Sequence, residues 1–391
     1  LSQQRTNNKY LSKYGCKFPW CGQLFDARSK VSSLPILRRL VECSQRRLFR
    51  RHVVNRMVFL HKKASFLQKM KNGRTGMKAG FIGLGNVGAK LAGSLLRNGA
   101  DITVCDLDAE RVAAFRDYGA KGTMQAAEVM QTCDIVITCL PSPAASDEVV
   151  SGMLPHVKKG KIWIEMSTTD EAEVKRLGAK VIAADGLAAD CPVSGGCHRA
   201  ATGNISVFAG CDRETFETIL PFLTKMGRRV LHTGALGSAS VLKVITNYLA
   251  TANLVSCTEA LTVAKASGMD LATAYEAIKV SSGTSFVHET ESQVILNGSR
   301  DISFTMDLVS KDIRLFQEVA DRADVELELS PLLISIFNDG IEKFGPRELS
   351  PNIIKRLEER TGLSIIAEGF PAEMEDDEPE EPGYEVKVFS S

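Results

Sequence analysis

Lys243 and Asn247 stand four residues apart, so on a helix their side chains leave one face a turn apart and can present an ammonium and an amide to one small polar ligand. Val241, Leu242, Val244 and Ile245 flank the lysine. Withdrawal from water disfavours a charged amine and lowers its pKa toward the range useful for general acid/base work. Taken alone, the plainer reading of the pair is a lysine snorkelling beside a core helix. A second set lies in Asp190-Cys-Pro-Val-Ser194-Gly195-Gly196. A Ser-Gly-Gly turn after a proline-stiffened segment can aim consecutive backbone N–H groups at a carboxylate, a simple β-turn being the alternative. Lys311 is the third candidate, because with Phe304, Leu308, Leu315 and Val319 it falls on an otherwise apolar helical stripe. A charge there needs a partner, and Asp307 or Asp312 could supply one.

These groups need a scaffold, and Gly83-Leu84-Gly85-Asn86-Val87-Gly88 indicates which. It follows a strand-like run, Met77–Ile82, and precedes a helix-like run, Ala89–Leu96. In that setting the first glycine allows a tight turn, the second lets backbone approach a pyrophosphate and the third packs helix on strand. Ile102–Asp106 then reads as a strand ending in the acid that hydrogen-bonds an adenosine ribose. A helical stretch over Ala109–Tyr118 and strands over Asp134–Leu140 and Lys161–Glu165 continue the alternation, which implies a Rossmann-type, doubly wound parallel α/β sheet. Leu140-Pro141 and Ser167-Thr168 fall at carboxyl ends of strands, where ligands bind in such sheets. Past Gly237 helices are expected over Ser238–Ser267, Leu271–Val280, Phe304–Asp324 and Pro331–Lys343, with no strong strand signal. The expected organisation is a leader (1–76), a dinucleotide-binding domain (77–236), an all-helical C-terminal domain for substrate and oligomerisation (237–369), and an acidic, proline-bearing, solvated tail (370–391).

Charge divides the chain sharply. Residues 1–76 hold 18 Lys and Arg against only Asp26 and Glu42, within a formal net charge of +1 for all 391 residues. The leader resembles a mitochondrial transit peptide; a non-native or unstructured leader and an arm for nucleic acid or anionic membrane are the other readings. A mitochondrial location is expected if the leader is genuine, and a cytoplasmic one otherwise. The acidic remainder disfavours nucleic acid as a partner. No apolar run reaches the roughly 18 residues of a membrane span. Ten cysteines without CxxC pairing support neither a disulfide framework nor a metal site.

Together the motifs resemble the β-hydroxyacid dehydrogenase family over roughly Met77 to Ala323. The cofactor fingerprint is similar to Gly80–Gly88, the substrate motif to Asp190–Gly196 continuing to Gly203 and Gly210, the catalytic motif to Gly237–Asn247, and a late Lys-Asp pair to Lys311-Asp312. The resemblance implies that Lys243 is the general acid/base and that Asn247 orients it. It implies that Ser194, Gly195 and Gly196 bind a substrate carboxylate, that Lys311 sits near nicotinamide and substrate, and that Leu140, Pro141 and Thr168 contact cofactor. The implied activity is oxidation of a small 3-hydroxy acid, most closely 3-hydroxyisobutyrate, in a homodimer or homotetramer. Glyoxylate, succinic semialdehyde or tartronate semialdehyde reduction is the alternative, and a catalytically silent dinucleotide-binding interaction protein is the alternative of another class. Asp106 favours NAD over NADP by repelling a 2′-phosphate, with Arg111 close by. Thr246, Arg199, Asn204 and Cys211 depart from the family pattern, replacing Asn, Gly, Thr and Gly respectively. His198-Arg199 is expected to add positive charge to the pocket and so to suit a second anionic group.

Overall fold

In the computed structural model, which describes residues 76–388, strands and helices alternate from Ala79. Strands β1 (Ala79–Ile82), β2 (Ile102–Cys105), β3 (Lys121–Thr123), β4 (Ile135–Thr138), β5 (Ile162–Glu165) and β6 (Leu187–Asp190) run parallel in the spatial order β3-β2-β1-β4-β5-β6. Helices α1 (Gly88–Arg97), α2 (Ala109–Asp117), α3 (Ala126–Thr132), α4 (Pro143–Met153) and α5 (Glu171–Ala183) join them. Both faces of the sheet are covered, which explains why its strands read as continuous apolar runs. Phe81, Val104, Ile137 and Ile164 enter one core, and Ile82, Cys105, Val136 and Trp163 enter the other. The order reverses between β1 and β4, and a crevice at such a switch point is where this architecture holds ligands.

The chain next forms β7 (Val193–Ser194), α6 (Gly196–Thr202), β8 (Ser206–Gly210), α7 (Arg213–Met226) and β9 (Arg229–Gly234). β8 is antiparallel to β6 and β7 and parallel to β9. A 29-residue helix, α8 (Ser238–Ala266), follows and runs into a separate helical core. Around it pack α9 (Leu271–Lys279), α10 (Phe286–Asn297), α11 (Met306–Arg322), α12 (Leu329–Phe344) and α13 (Lys355–Thr361). Leu254, Leu261, Ile295, Ile313, Leu333 and Phe337 fill this second core. No helix among the described residues is long and apolar enough to cross a membrane. The leader readings concern residues that lie outside the described ones, apart from Gly76.

The start of α8 is built across the two halves. Gly237, its N-cap, has φ +93° and no side chain to cap the helix. Asp190, at the end of β6, does so instead: its carboxylate accepts from Gly237 N (2.7 Å), Ser240 N (2.7 Å) and Ser240 Oγ (3.0 Å). Two of the orphan donors of the first turn are thereby satisfied inside the protein. Gly210 makes room for this, since a methyl group there would lie 2.3 Å from Asp190 Oδ1.

One expectation fails. The acidic end, read as a solvated tail, lies on the sheet half, where β10 (Tyr384–Glu385) adds to β9 as a parallel edge strand. Glu378 and Glu385 are paired with arginines, and those arginines lie far upstream in sequence.

Candidate active site

The glycine turn has the form that a dinucleotide requires. Gly83 has φ +98°, and a methyl group on it would lie 2.3 Å from the Cys139 carbonyl oxygen. A methyl on Gly88 would lie 2.1 Å from the Gly83 carbonyl oxygen, so the first turn of α1 sits directly on the turn. Gly85 by contrast faces open space, which is where a pyrophosphate would approach backbone. Leu84, Asn86 and Val87 complete the connection from β1 to α1. Asp106, just past β2, accepts from Leu84 N (2.6 Å) and Asp108 N (2.9 Å), so its carboxylate is fixed against the same turn. Arg111 donates to Leu84 O (3.2 Å) and pairs with Asp108 at 3.2 Å. These residues fit a nicotinamide dinucleotide.

Leu140-Pro141 and Thr168 follow β4 and β5, and one hydrogen-bonded relay joins the two loops. Leu140 N donates to Ser167 Oγ (2.7 Å), and Ser167 donates through both N (2.8 Å) and Oγ (2.5 Å) to Glu165 Oε1. Burial pushes the Glu165 carboxyl up, partly offset by these bonds.

Lys243 and Asn247 lie one turn apart on α8, and Lys243 is only 8% exposed. Lys243 Nζ donates to Asn247 Oδ1 (2.7 Å), and Asn247 Nδ2 donates to Asp312 Oδ2 (2.5 Å). The assignment of the amide O and N follows from these two partners. Asp312, buried on α11, also pairs through Oδ1 with Lys311 Nζ at 2.7 Å, and Lys311 donates to Thr168 O (2.9 Å). One network thus runs from α8 through α11 to the loop after β5, bringing Lys243, Asn247, Lys311 and Thr168 together. Asp312, and not Asp307, is the partner of Lys311; Asp307 accepts from Thr305 Oγ1 and Leu308 N (2.9 Å) and pairs with Arg347. Burial is the largest influence on Lys243 and brings its amine down to about 8, with Asp312 opposing and Lys311 reinforcing the shift.

Ser194 ends β7, which packs against α8, and Gly195 (φ +132°) and Gly196 (φ +86°) turn the chain into α6. These φ values are open to glycine and costly for other residues. The positive charge expected beside this turn is engaged by acids. Arg199 pairs with Glu378 (2.9 Å) and lies 4.7 Å over the Phe286 ring, and burial holds the His198 imidazole below its usual pKa.

Asp312 and Asp190 carry more of the site than the sequence indicated. A buried acid beside a lysine on an apolar stripe was the available signal for the first. Nothing local marks the second as a cap, because its helix begins 47 residues later.

Residues 78–234 match the family described as the NAD binding domain of 6-phosphogluconate dehydrogenase, and residues 237–357 match the family described as NAD-binding of NADP-dependent 3-hydroxyisobutyrate dehydrogenase. The chain is 32% identical to 2-(hydroxymethyl)glutarate dehydrogenase of Eubacterium barkeri, over 74% of this chain and 97% of that protein. It is 31% identical to the mitochondrial 3-hydroxyisobutyrate dehydrogenase of Rattus norvegicus, over 66% and 80% respectively. It is also 30% identical to the human cytokine-like nuclear factor N-PAC, over 63% of this chain but 45% of that one. The family matches and these relatives show a nicotinamide-dinucleotide dehydrogenase acting on a CH–OH group. The chain belongs to the β-hydroxyacid dehydrogenase family.

Proposed function

We propose that this protein interconverts a small 3-hydroxy acid and its semialdehyde or keto acid with NAD, above all 3-hydroxyisobutyrate and methylmalonate semialdehyde. The observation that carries this reading is the buried amine of Lys243, held by Asn247 in a network that reaches the cofactor-side loop at Thr168. The nicotinamide ring, when bound, takes up or gives back the hydride. Lys243 as a neutral amine accepts the hydroxyl proton during oxidation, and as an ammonium it returns a proton to the developing alkoxide during reduction. With an amine brought to about 8, both forms are accessible near neutrality. Asn247 fixes the direction of the amine and Asp312 fixes Asn247. Ser194, Gly195 and Gly196 hold the substrate carboxylate, which sets the carbinol carbon in place.

Asp106 supports NAD, because a carboxylate there accepts from a ribose diol and repels a 2′-phosphate. Arg111 is already engaged by Asp108 and Leu84 O, which leaves it poorly placed to offset that repulsion. The commitment of Arg199 to Glu378 supports a substrate with one carboxylate over the dicarboxylate acted on by the Eubacterium relative. The glyoxylate, succinic semialdehyde and tartronate semialdehyde reductions remain the runners-up, since they place the same demands on the amine. The similarity to a nuclear factor favours a silent dinucleotide-binding protein, and the intact Lys243–Asn247–Asp312 network argues against it. The Arg-rich leader and the rat relative support a mitochondrial location. Exposed Leu249 and Val263 on α8 support assembly into a homodimer or homotetramer.

The test is Lys243→Ala, assayed alongside the wild type with 3-hydroxyisobutyrate and 2-(hydroxymethyl)glutarate, each with NAD and NADP, and with the short semialdehydes, each with NADH and NADPH. The expected outcome is turnover of 3-hydroxyisobutyrate with NAD in the wild type. In the variant a loss of at least about 10²-fold is expected, with cofactor affinity kept. Comparable activity in the variant would refute the role of the lysine, and a preference for NADP would overturn the cofactor assignment.

A further inference from the structure

Residues 374–386 are bonded to α6, the helix that follows the Ser194–Gly196 turn, and to β9. From Met374 to Glu378 the residues alternate half-buried and exposed, so Met374, Asp376 and Glu378 face the protein while Glu375 and Asp377 face water. The Asp376 side chain is 2% exposed and receives Thr202 Oγ1, Asn204 Nδ2 (2.7 Å) and, at 3.8 Å, Arg199. Glu378 pairs with Arg199 (2.9 Å), Arg229 (2.9 Å) and Arg228 (3.4 Å), and its carbonyl accepts from Asn204 Nδ2 (2.8 Å). Further on, Gly383 abuts the end of α7, where a methyl group would lie 2.3 Å from Gly227 O. Tyr384 N and Val386 N then donate to Arg228 O and Val230 O, both at 2.8 Å. On the other side the helical half holds the segment, with Asn297 donating to Phe370 O (2.8 Å) and Ser299 to Ala372 O (2.6 Å).

The strip of protein gripped by this arm is α6 and its exit, the helix opened by Gly195-Gly196. A methyl group on Gly196 would lie 3.9 Å from Met374 Cε, so the arm also flanks the turn itself. His198 stacks on Phe286 at 6.3 Å, which ties the same helix to the start of α10. Arg199 and Asn204 are two principal grips on the arm. The arm lies beyond the family match, which ends at residue 357.

We infer that residues 374–386 are a positioning arm for substrate: they hold α6, through Arg199, Thr202 and Asn204, so that the Ser194–Gly196 turn keeps its carboxylate-binding shape. The inference deepens the function proposed above and rests on the carboxylate being held at that turn. Charge-assisted hydrogen bonds to a nearly buried carboxylate are strong and directional, so the arm is a fixed part of the wall.

The test uses the full chain with Asp376→Asn and Glu378→Gln together, against a control with Glu375→Gln and Asp377→Asn, which removes the same charge from the exposed face. In the arm variant the KM for the hydroxy acid should rise by about tenfold, with kcat and the KM for NAD held within about twofold. The control should match the wild type in all three. Asn204→Thr, a milder change at the receptor, should give the same pattern to a smaller extent and serves if the double variant folds poorly. Hydrogen exchange across residues 195–205 is the second readout, and it should quicken in the arm variant alone. It needs no substrate, so a chain inactive on every hydroxy acid would defeat the proposed function and still leave the arm under test. Unchanged exchange would overturn the inference. Faster exchange with an unchanged KM would reduce the arm to a structural support and overturn it as a positioning device.

Discussion

At the scale of the residue, the decisive balance is the one around Lys243. Burial lowers its pKa, Lys311 adds to the effect and Asp312 opposes it, with the amine ending near 8. The proposed oxidation needs the neutral amine, so its kcat/KM should climb as pH rises through about 8, while reduction should fall across the same range. Asp312→Asn removes the group that holds the amine up, so the climbing limb should move to lower pH by about one unit. A limb that stays in place in the Asp312→Asn pH–rate profile would mean that another group titrates. Lys243 and Asn247 were legible because their spacing put them on one face. Asp312 was legible only as a neighbour, because its contact with Asn247 spans 65 residues of sequence.

At the scale of the element, α8 carries the proposed acid/base and yet starts on a glycine that offers no cap. Asp190 satisfies Gly237 N and Ser240 N from the end of β6, and burial raises its carboxyl while those bonds pull the other way. Asp190→Ala would leave two buried donors unmet, at a cost of about 2–4 kcal/mol, measurable by denaturant unfolding. A loss well under 1 kcal/mol would show that the helix does not need this cap. The sequence displayed the glycine turn and the parallel strands clearly, since each is a local pattern: Gly83 and Gly88 fill their positions because no Cβ fits beside Cys139 O and Gly83 O. It displayed α10 poorly. This helix mixes Glu289, Glu291 and Gln293 with Val294, Ile295 and Leu296, and its buried face includes His288 and Ser292, so periodicity gives a weak signal.

At the scale of the whole molecule, the sheet half and the helical half each have a core, and the C-terminal segment 370–386 touches both, Phe370 the helical half and Tyr384–Glu385 the sheet. The sequence misled here for a physical reason. Dense acids with proline read as a chain that cannot bury enough apolar surface to fold, whereas this one is ordered by arginines some 150–180 residues upstream. Glu385 illustrates the coupling. Arg213 holds its carboxyl down at about 2, below the ordinary value of 4.5, so its contribution to stability is present above about 4.5 and is lost as pH falls toward 2. Glu385→Gln should therefore melt below the wild type at pH 7, with the gap closing as the medium is acidified, in a calorimetric series. A gap independent of pH would assign the effect to lost packing.

Asp190 and Ser194 are four residues apart, and the same short segment that seats the lysine helix turns directly into the Ser-Gly-Gly loop. On the proposed reading, the span between the acid anchor and the reacting alcohol is set by a single rigid stretch of backbone, which makes it a ruler for carbon count. Selectivity among straight-chain substrates would then follow how many bonds separate carboxylate from hydroxyl, with branching at the intervening carbon a lesser matter.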